Sequence, residues 1–352
     1  MEIGTQIRSL TITPEMLRLI GEIDEFKGAW RSLGALAPER LAALRRVATI
    51  ESVGSSTRIE GARLTDREVE RLLAGLDTHS FRSRDEEEVA GYAEVMETVF
   101  GGWDAMPLTE NHIKQLHQIL LRHSTKDVRH RGDYKKLPNH VEAFDAGGAS
   151  LGVVFATTSP LETPWRIAEL VAWTRDALDE NTWHPLLVIA VFTVCFLAIH
   201  PFQDGNGRLS RVLTTLLLLR SGYSYVPYSS LESVIEGSKE SYYLALRRTQ
   251  GTLTEIAPDW RPWTEFFLQA LSRQKARLEA KIVREQIWGT ALPALSVRIL
   301  ELAREHGRIS TAQIEALTGE PRSTIKARLN ALVQAGTLAR YGQGRATWYA
   351  LA

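Results

Sequence analysis

The hydrophobic and polar positions along the chain predict a mostly helical protein. Apolar residues recur at helical spacing in many segments, and polar capping signals begin several of them, such as Thr65 with Glu68. Two segments, 186–199 and 209–219, are apolar on nearly every face, which is typical of helices at the centre of a bundle. We therefore predict an all-α fold built around these two helices.

Two regions depart from this helical pattern. Residues 139–160 contain two short strand-like runs around an Asp-Ala-Gly-Gly turn, which predicts a β-hairpin. From about residue 291, three short helical segments with glycine stops precede two short strands around Gly-Gln-Gly. This is the order of a winged helix, so we predict a small winged-helix C-terminal domain after a basic-rich connector helix.

The composition limits the class of protein. Lys plus Arg and Asp plus Glu each number 42 among 352 residues, so no overall charge favours nucleic acid or a membrane. The single cysteine, Cys195, lies in an apolar run, and the N-terminus carries no signal-peptide pattern. That apolar run is shorter than a membrane span. We expect a cytoplasmic protein with no membrane partner.

The segment HPFQDGNGRLSR, residues 200–211, carries the candidate chemistry. It combines a base, an acid, two glycines and two arginines: His200, Asp204, Gly205, Gly207, Arg208 and Arg211. Glycines at a helix start leave backbone N–H groups open to an anion, and arginine forks suit phosphate oxygens. An aspartate beside phosphates suits Mg²⁺, and a histidine there can take a proton from an attacking hydroxyl. Gly-Asn-Gly alone would indicate only a turn, but the combination predicts a polyphosphate site.

The same segment resembles the Fic family signature, His-x-Phe-x-(Asp/Glu)-Gly-Asn-(Gly/Lys)-Arg-x-x-Arg, at every position. The resemblance extends over about residues 42–271. It implies a Fic-type helical bundle with a β-hairpin flap, and an enzyme that transfers AMP from ATP to a Tyr, Thr or Ser hydroxyl of a target protein. We accordingly divide the chain into an N-terminal helical region with an inhibitory helix (1–105), a Fic catalytic core (106–275) and a connector with the winged helix (276–352).

The resemblance also implies roles for individual residues. His200 would be the catalytic base, and Asp204 would hold Mg²⁺. The residues expected at the nucleotide are Glu60, His200, Gly205, Asn206, Gly207, Arg208, Leu209, Ser210, Arg211 and Tyr243. Gly207 favours AMP transfer with pyrophosphate leaving, because relatives with lysine at this position bind the nucleotide reversed and phosphorylate instead.

The predicted hairpin gains a role from the same resemblance. Fic enzymes hold the target segment as an added strand on this flap, and here Val153, Val154 and Phe155 would lie on the pairing strand. A plain surface loop is the simpler interpretation of the hairpin. Beyond the motif, Tyr243 would contact the nucleoside, although an aromatic residue on a helix more often belongs to a core.

The segment SSTRIEG, residues 55–61, fits the inhibitory motif of the family, (Ser/Thr)-x-x-x-Glu-(Gly/Asn), with Ser56, Glu60 and Gly61. In the family this glutamate pairs with the second arginine of the signature, here Arg211, and blocks the productive position of the γ-phosphate. One arginine cannot fork onto a carboxylate and a phosphate together. Without the resemblance, the segment would be an ordinary helix end that stops at a glycine.

The C-terminal segment, residues 291–352, has eight Lys plus Arg and four Asp plus Glu. Arg322, Lys326 and Arg328 would lie on the recognition helix of a winged helix and Arg345 on its wing, which would suit DNA. The surplus of positive charge is modest. We favour packing on the core, dimerisation or docking of the target over DNA binding.

Two other functions remain open at this point. The chain could remove AMP from a modified protein, or it could be a transcriptional regulator whose Fic core senses nucleotide. The expected partners are ATP, an unidentified target protein and the chain itself, and a homodimer is left open. His112 and His117 are five residues apart, so they do not suit a zinc-binding pair on one helical face.

Overall fold

A computed structural model describes residues 3–32, 38–75, 81–139, 141–144, 150–155, 157–291, 293–342, 344 and 347–351. The chain divides into two compact units, Met1–Arg277 and Leu278–Ala352. Within the described ranges, no helix combines the length and the apolar content that a membrane span needs.

Helices dominate both units. The α-helices are α1 (Ile3–Gln6), α2 (Pro14–Ser32), α3 (Pro38–Ile59), α4 (Asp66–Ala74), α5 (Arg84–Gly102), α6 (Glu110–Leu120), α7 (Thr163–Asp179), α8 (Pro185–Ile199), α9 (Asn206–Arg220), α10 (Leu231–Glu236), α11 (Lys239–Gln250), α12 (Arg261–Ala291), α13 (Ala294–His306), α14 (Thr311–Thr318) and α15 (Arg322–Gln334). Short 3₁₀ turns cover Ile7–Ser9, Trp103–Ala105 and Val226–Tyr228. The strands are β1 (Val141–Phe144), β2 (Ser150–Phe155), β3 (Leu338–Tyr341) and β4 (Trp348–Leu351). This architecture confirms the predicted all-α class.

The core of the first unit surrounds α8 and α9. Every residue of α8 from Leu186 to its end is buried, and so is every residue of α9 from Arg208 to Leu219. α8 packs against α7 and α9, while α5 packs against α3, α6 and α9. Each fully buried aliphatic side chain stabilises the fold by about 1.5–3 kcal/mol. The loop between α8 and α9 is therefore held at both ends by the most buried helices of the unit.

The hairpin β1–β2 lies between α6 and α7 in the chain. Its strands pair antiparallel, with Val141 opposite Phe155 and Phe144 opposite Ser150, and two irregularities shift the register between them. The backbone pairing confirms the predicted hairpin. The predicted docking contacts of Val153, Val154 and Phe155 concern side chains that lie outside the described part of the chain.

The second unit contains three helices followed by an antiparallel pair of strands. Its core is formed by apolar residues of α13, α14 and α15 together with Leu338 and Tyr349 of the strands. β3 and β4 pair from Leu338 opposite Leu351 to Tyr341 opposite Trp348, and Ile309 forms a bridge to Tyr349. These elements follow the order predicted from the sequence. Arg345, predicted on the wing, lies outside the described residues.

Candidate active site

The loop between α8 and α9 has an unusual backbone. His200 adopts a left-handed conformation, with φ of 52°, and Gly205 has φ of 79° directly before α9. A left-handed residue that is not glycine is uncommon and often marks a functional site. The Asn206 side chain closes the loop, because its Oδ1 accepts from Phe202 N at 2.9 Å and its Nδ2 donates to Phe202 O at 2.7 Å. The loop therefore has one fixed shape that presents the N-terminus of α9.

His200 has the tautomer and the charge state of a general base. Its Nδ1–H donates to Leu197 O at 3.1 Å, because a carbonyl can only accept, so the lone pair of the neutral ring lies on Nε2. The pKa of His200 is lowered to about 4, mainly by burial; the hydrogen bond to the Leu197 carbonyl opposes this shift and the charge of Lys135 adds to it. At neutral pH the ring is uncharged and able to accept a proton.

Two buried arginines surround the first turn of α9. Arg208 is 2% exposed and Arg211 is 4% exposed. Within the described residues, Nε and Nη1 of Arg208 and Nη1 of Arg211 have no hydrogen-bond partner, although Arg208 Nη1 lies 3.2 Å from Glu88 Oε2. Unpaired buried donors are costly, and those of a charged group cost most. Their presence beside a helix N-terminus fits a site for an anion that bears several oxygens.

The structure brings Glu60 onto Arg211. Arg211 Nη2 donates to Glu60 Oε1 at 2.8 Å and to Ser56 O at 2.9 Å, and its Nε donates to Ser56 Oγ at 2.8 Å. Burial alone would lower the pKa of Arg211, but the charge of Glu60 raises it above its ordinary value. Gly61, with φ of 107°, stands just past the end of α3. The two residues that the sequence analysis paired thus form an ion pair 151 positions apart.

The Glu60 carboxylate also covers the glycine turn. A Cβ atom added at Gly207 would overlap the Glu60 carboxylate. The absence of a side chain at Gly207 therefore lets the carboxylate lie close to the backbone of α9. The carboxylate occupies space directly over the N-terminal turn of α9, where an anion would bind.

Asp204 lies beside these groups. Its Oδ1 accepts from Gly205 N at 2.6 Å and from Arg208 Nη2 at 3.3 Å, and its Oδ2 accepts from Arg84 Nη2 at 3.2 Å. Burial would raise the pKa of Asp204, but the charge of Arg208, the Gly205 amide and the charge of Arg84 together hold it below its usual value. The side chain is therefore ionised, and it is 29% exposed.

This carboxylate suits magnesium bound together with a nucleotide. The described residues contain no group of three or more His, Cys, Asp or Glu side chains that could hold a metal ion by themselves. Mg²⁺ commonly binds through one or two carboxylates and completes its coordination with water and substrate phosphates. An ionised, partly exposed Asp204 next to free arginine donors has the chemistry that such a site needs.

Three other predicted nucleotide residues differ in accessibility. Leu209 and Ser210 are fully buried, Ser210 Oγ donates to Gly207 O at 2.8 Å, and Leu209 N donates to Gly205 O at 2.9 Å, so these groups already have partners within the first turns of α9. Tyr243 is 42% exposed on α11, and its hydroxyl lies 3.5 Å from Ile59 O. The neighbouring Tyr242 is 3% exposed and packs edge-on against Trp263. Of the two tyrosines, Tyr243 is the one that can reach a ligand.

His117 is a site residue that sequence reasoning missed. It is fully buried, its Nδ1 accepts from Gly132 N at 2.9 Å, and its Nε2–H donates to Asp204 O at 3.0 Å. Its ring stacks on Phe202 at 3.8 Å. Burial lowers the pKa of His117 to about 4, so the neutral ring fixes the backbone of the loop from the side of α6.

Arg58 is a second missed residue, and it anchors the end of α3. Its Nε and Nη2 donate to both carboxylate oxygens of Glu236 at 2.6 and 3.0 Å, and its Nη1 donates to Leu64 O at 2.9 Å. Nη1 also lies 2.9 Å from Asp66 Oδ1. Arg58 therefore ties the end of α3, next to Glu60, to α10 and α4. Its position inside SSTRIEG was visible in the sequence, but its partner 178 residues away was not.

Comparisons with known proteins find similarity to one family. Residues 107–218 match the model of the Fic/DOC family. A Fic family protein from Desulfovibrio desulfuricans has a crystal structure with a TM-score of 0.61 and 25% identity, and the similarity covers 97% of each chain. A Fic domain containing signalling protein from Bacteroides thetaiotaomicron gives a TM-score of 0.60 at 26% identity, over 73% of this chain and 95% of that one. Residues 107–218 thus match a Fic domain, and the two solved structures resemble the chain in fold.

Two curated relatives carry a named activity. The protein adenylyltransferase Fic of Drosophila grimshawi is 25% identical over 289 residues, which are 80% of this chain and 53% of that protein. A probable protein adenylyltransferase of Aquifex aeolicus is 32% identical over 90 residues, which are 26% of this chain and 27% of that protein. The chain thus spans about a quarter to a half of the length of these relatives.

Proposed function

We propose that this protein transfers AMP from ATP to a hydroxyl side chain of a target protein, and that Glu60 restrains the reaction. The observation that carries the proposal is the grouping of a neutral His200 and two buried arginines with unpaired donors around the N-terminus of α9. The names of the curated relatives support AMP as the transferred group.

The geometry suggests a direct transfer. His200 Nε2 takes the proton of the acceptor hydroxyl, whose oxygen forms a bond to the α-phosphorus of ATP. The bond from that phosphorus to the oxygen shared with the β-phosphate breaks, and pyrophosphate leaves. Arg208 and Arg211 stabilise the charge on the leaving group through donors that are preorganised by burial. Asp204 would hold Mg²⁺, which when bound neutralises part of the phosphate charge.

The position of Glu60 supports the proposed self-inhibition. Its carboxylate takes one donor of Arg211 and fills the space over Gly207. A phosphate that enters with this pair intact meets a negative charge and loses an arginine donor. We propose that ATP then binds with its γ-phosphate displaced, so that the α-phosphate is not in line with the acceptor hydroxyl.

For the second unit, we propose a winged-helix domain that docks a protein partner. Arg322 and Lys326 are exposed on α15, and Arg340 is exposed on β3. Residues 321–352 contain basic side chains but no Asp or Glu, so this part of the unit would attract an acidic surface. DNA is the alternative partner, because it is negatively charged like an acidic protein surface.

The experiment that tests the proposed function uses ATP labelled at the α-phosphate. The purified protein, its Glu60→Gly variant and the Glu60→Gly/His200→Ala double variant are incubated separately with this ATP and a cell lysate. We expect strong protein labelling only with Glu60→Gly, while the double variant retains ATP binding, because His200 acts on the hydroxyl and not on the phosphates. Removal of a general base commonly lowers the rate about 10²–10⁴-fold. Equal labelling by the double variant would remove His200 from the mechanism.

The same preparation separates AMP transfer from AMP removal. Labelled protein from the first incubation is isolated and returned to unlabelled wild-type protein. Retention of the label is expected for a transferase, while its release by the wild type but not by Glu60→Gly would favour removal of AMP as the main activity.

A further inference from the structure

A partly buried polar cluster holds both ends of the hairpin β1–β2. We call it the clasp, and it consists of Lys135, Asn139 and Thr157. Asn139 stands two residues before β1, and Thr157 stands two residues after β2. The Lys135 ammonium donates to Asn139 Oδ1 at 2.8 Å and to Thr157 Oγ1 at 2.9 Å. Thr157 Oγ1 itself donates to Asn139 Oδ1 at 3.0 Å, so the two ends of the hairpin are joined directly as well.

The clasp also forms hydrogen bonds with the end of α8 and the loop between α8 and α9. The third donor bond of the Lys135 ammonium goes to Ile199 O at 2.9 Å, and Lys135 N donates to Pro201 O at 2.8 Å. Asn139 Nδ2 donates to His200 O at 3.2 Å and to Phe202 O at 2.5 Å. Four consecutive carbonyls, the last one of α8 and the first three of the loop that follows, thus accept hydrogen bonds from Lys135 and Asn139.

Burial of the charged Lys135 side chain costs free energy. The residue is 3% exposed, and its three described partners are neutral oxygens rather than a carboxylate. Burial lowers its pKa to about 8, which reflects the cost of keeping the ammonium away from water. A methionine of similar size would fill the same space without that cost. What the ammonium supplies beyond packing is three directed hydrogen bonds that meet at one point.

We propose that the clasp is a positioning device that fixes the distance between the hairpin backbone and His200. The proposal rests on the proposed function, in which the acceptor hydroxyl must reach His200 Nε2, and on the expectation from the sequence that the target segment pairs with the hairpin. The clasp binds both ends of the hairpin and also the loop that carries His200. It therefore sets where a strand added to the hairpin lies relative to His200 Nε2. Lys135, Asn139 and Thr157 touch no reacting atom and act through the hairpin and His200.

The test uses the full chain in the Glu60→Gly background. Lys135→Met removes the three ammonium bonds, Thr157→Val removes one hydroxyl at nearly constant shape, and Thr157→Ser restores that hydroxyl. Lys136→Met is the matched control, because Lys136 is the neighbouring lysine and its side chain is 82% exposed. Two quantities are measured for each variant: backbone amide exchange of residues 141–155 by mass spectrometry, and the rate of auto-labelling from α-labelled ATP as a function of ATP concentration.

We expect Lys135→Met to accelerate amide exchange in the hairpin at least tenfold and to lower the labelling rate at saturating ATP by roughly 10–100-fold, since a displacement of about 1 Å can cost 10²-fold. The KM for ATP should stay within about twofold, because the donors to the phosphates lie on α9 and are untouched. Thr157→Val should move both quantities in the same direction by less. Thr157→Ser and Lys136→Met should match the Glu60→Gly parent.

Three results would overturn the proposal. Unchanged exchange in both Lys135→Met and Thr157→Val would mean that the clasp does not hold the hairpin. Faster exchange with an unchanged labelling rate would mean that the hairpin position does not matter to the chemistry. A loss of ATP affinity in step with the labelling rate would indicate general damage to the loop. If the Glu60→Gly parent itself labels nothing, the proposed function fails, and the exchange measurement alone decides whether the clasp holds the hairpin.

Discussion

Replacing Glu60 with glycine should relieve the proposed self-inhibition. The size of the increase in labelling rate can be worked out from the contacts of Glu60. The change removes the hydrogen bond from Arg211 Nη2 to Glu60 Oε1 and clears the space over Gly207. A hydrogen bond to a charged group contributes about 1.5–3 kcal/mol, and the 32% exposure of Glu60 places this one in the lower half of that range. Because each 1.4 kcal/mol is a factor of ten, the productive population should rise about ten- to fortyfold.

The assay is the initial rate of auto-labelling from α-labelled ATP, with ATP affinity measured separately by calorimetry. Arg211 should keep its place in Glu60→Gly, since Ser56 still accepts two of its hydrogen bonds. Total ATP affinity should therefore change much less than the labelling rate. Glu60→Gln keeps the size of the side chain and loses only its charge, so it should be activated less. A Glu60→Gly protein that labels no faster than the wild type would refute self-inhibition, and SSTRIEG would be an ordinary helix end.

Three other predictions follow from particular groups. Arg211→Ala should not be activated, and the double variant with Glu60→Gly should label as poorly as Arg211→Ala alone, because Arg211 is also a phosphate donor; faster labelling by the double variant would contradict that role. His117 and His200 are favoured in their neutral forms, with pKa values near 4 against 6.5 when unfolded, so urea unfolding should show stability rising with pH between these values and His117→Gln should flatten the rise. Duplex DNA should not bind at low salt; binding that weakens steeply with salt, with a shallower slope in Arg322→Ala, would favour the DNA alternative.

The sequence predicted those parts of the site whose signal is local. The apolar segments 186–199 and 209–219 identified α8 and α9, because a helix that is apolar on every face has to lie in a core. The loop between them could be interpreted as a phosphate site, since base, glycines and arginines are close in the chain. Thr65 and Glu68 formed the capping box that their spacing indicates.

The supporting residues could not be predicted, for a physical reason. His117 meets Asp204 across 87 positions, and Lys135 meets Ile199 across 64. A buried histidine or lysine carries no periodic signal, and a single sequence does not say which distant carbonyl it will reach. Chain folding alone brings such groups to the loop, so their roles become visible only from the distances.

The most direct test of the central claim compares two labels on the same nucleotide. The Glu60→Gly protein is incubated in parallel with ATP labelled at the α-phosphate and ATP labelled at the γ-phosphate, and protein-bound label is measured. AMP transfer keeps the α-phosphate on the protein and releases the γ-phosphate in pyrophosphate, so the account predicts label from α-labelled ATP alone. Protein labelled from the γ-phosphate and not from the α-phosphate would contradict the account, because the nucleotide would then bind reversed over Gly207 and the reaction would be phosphorylation.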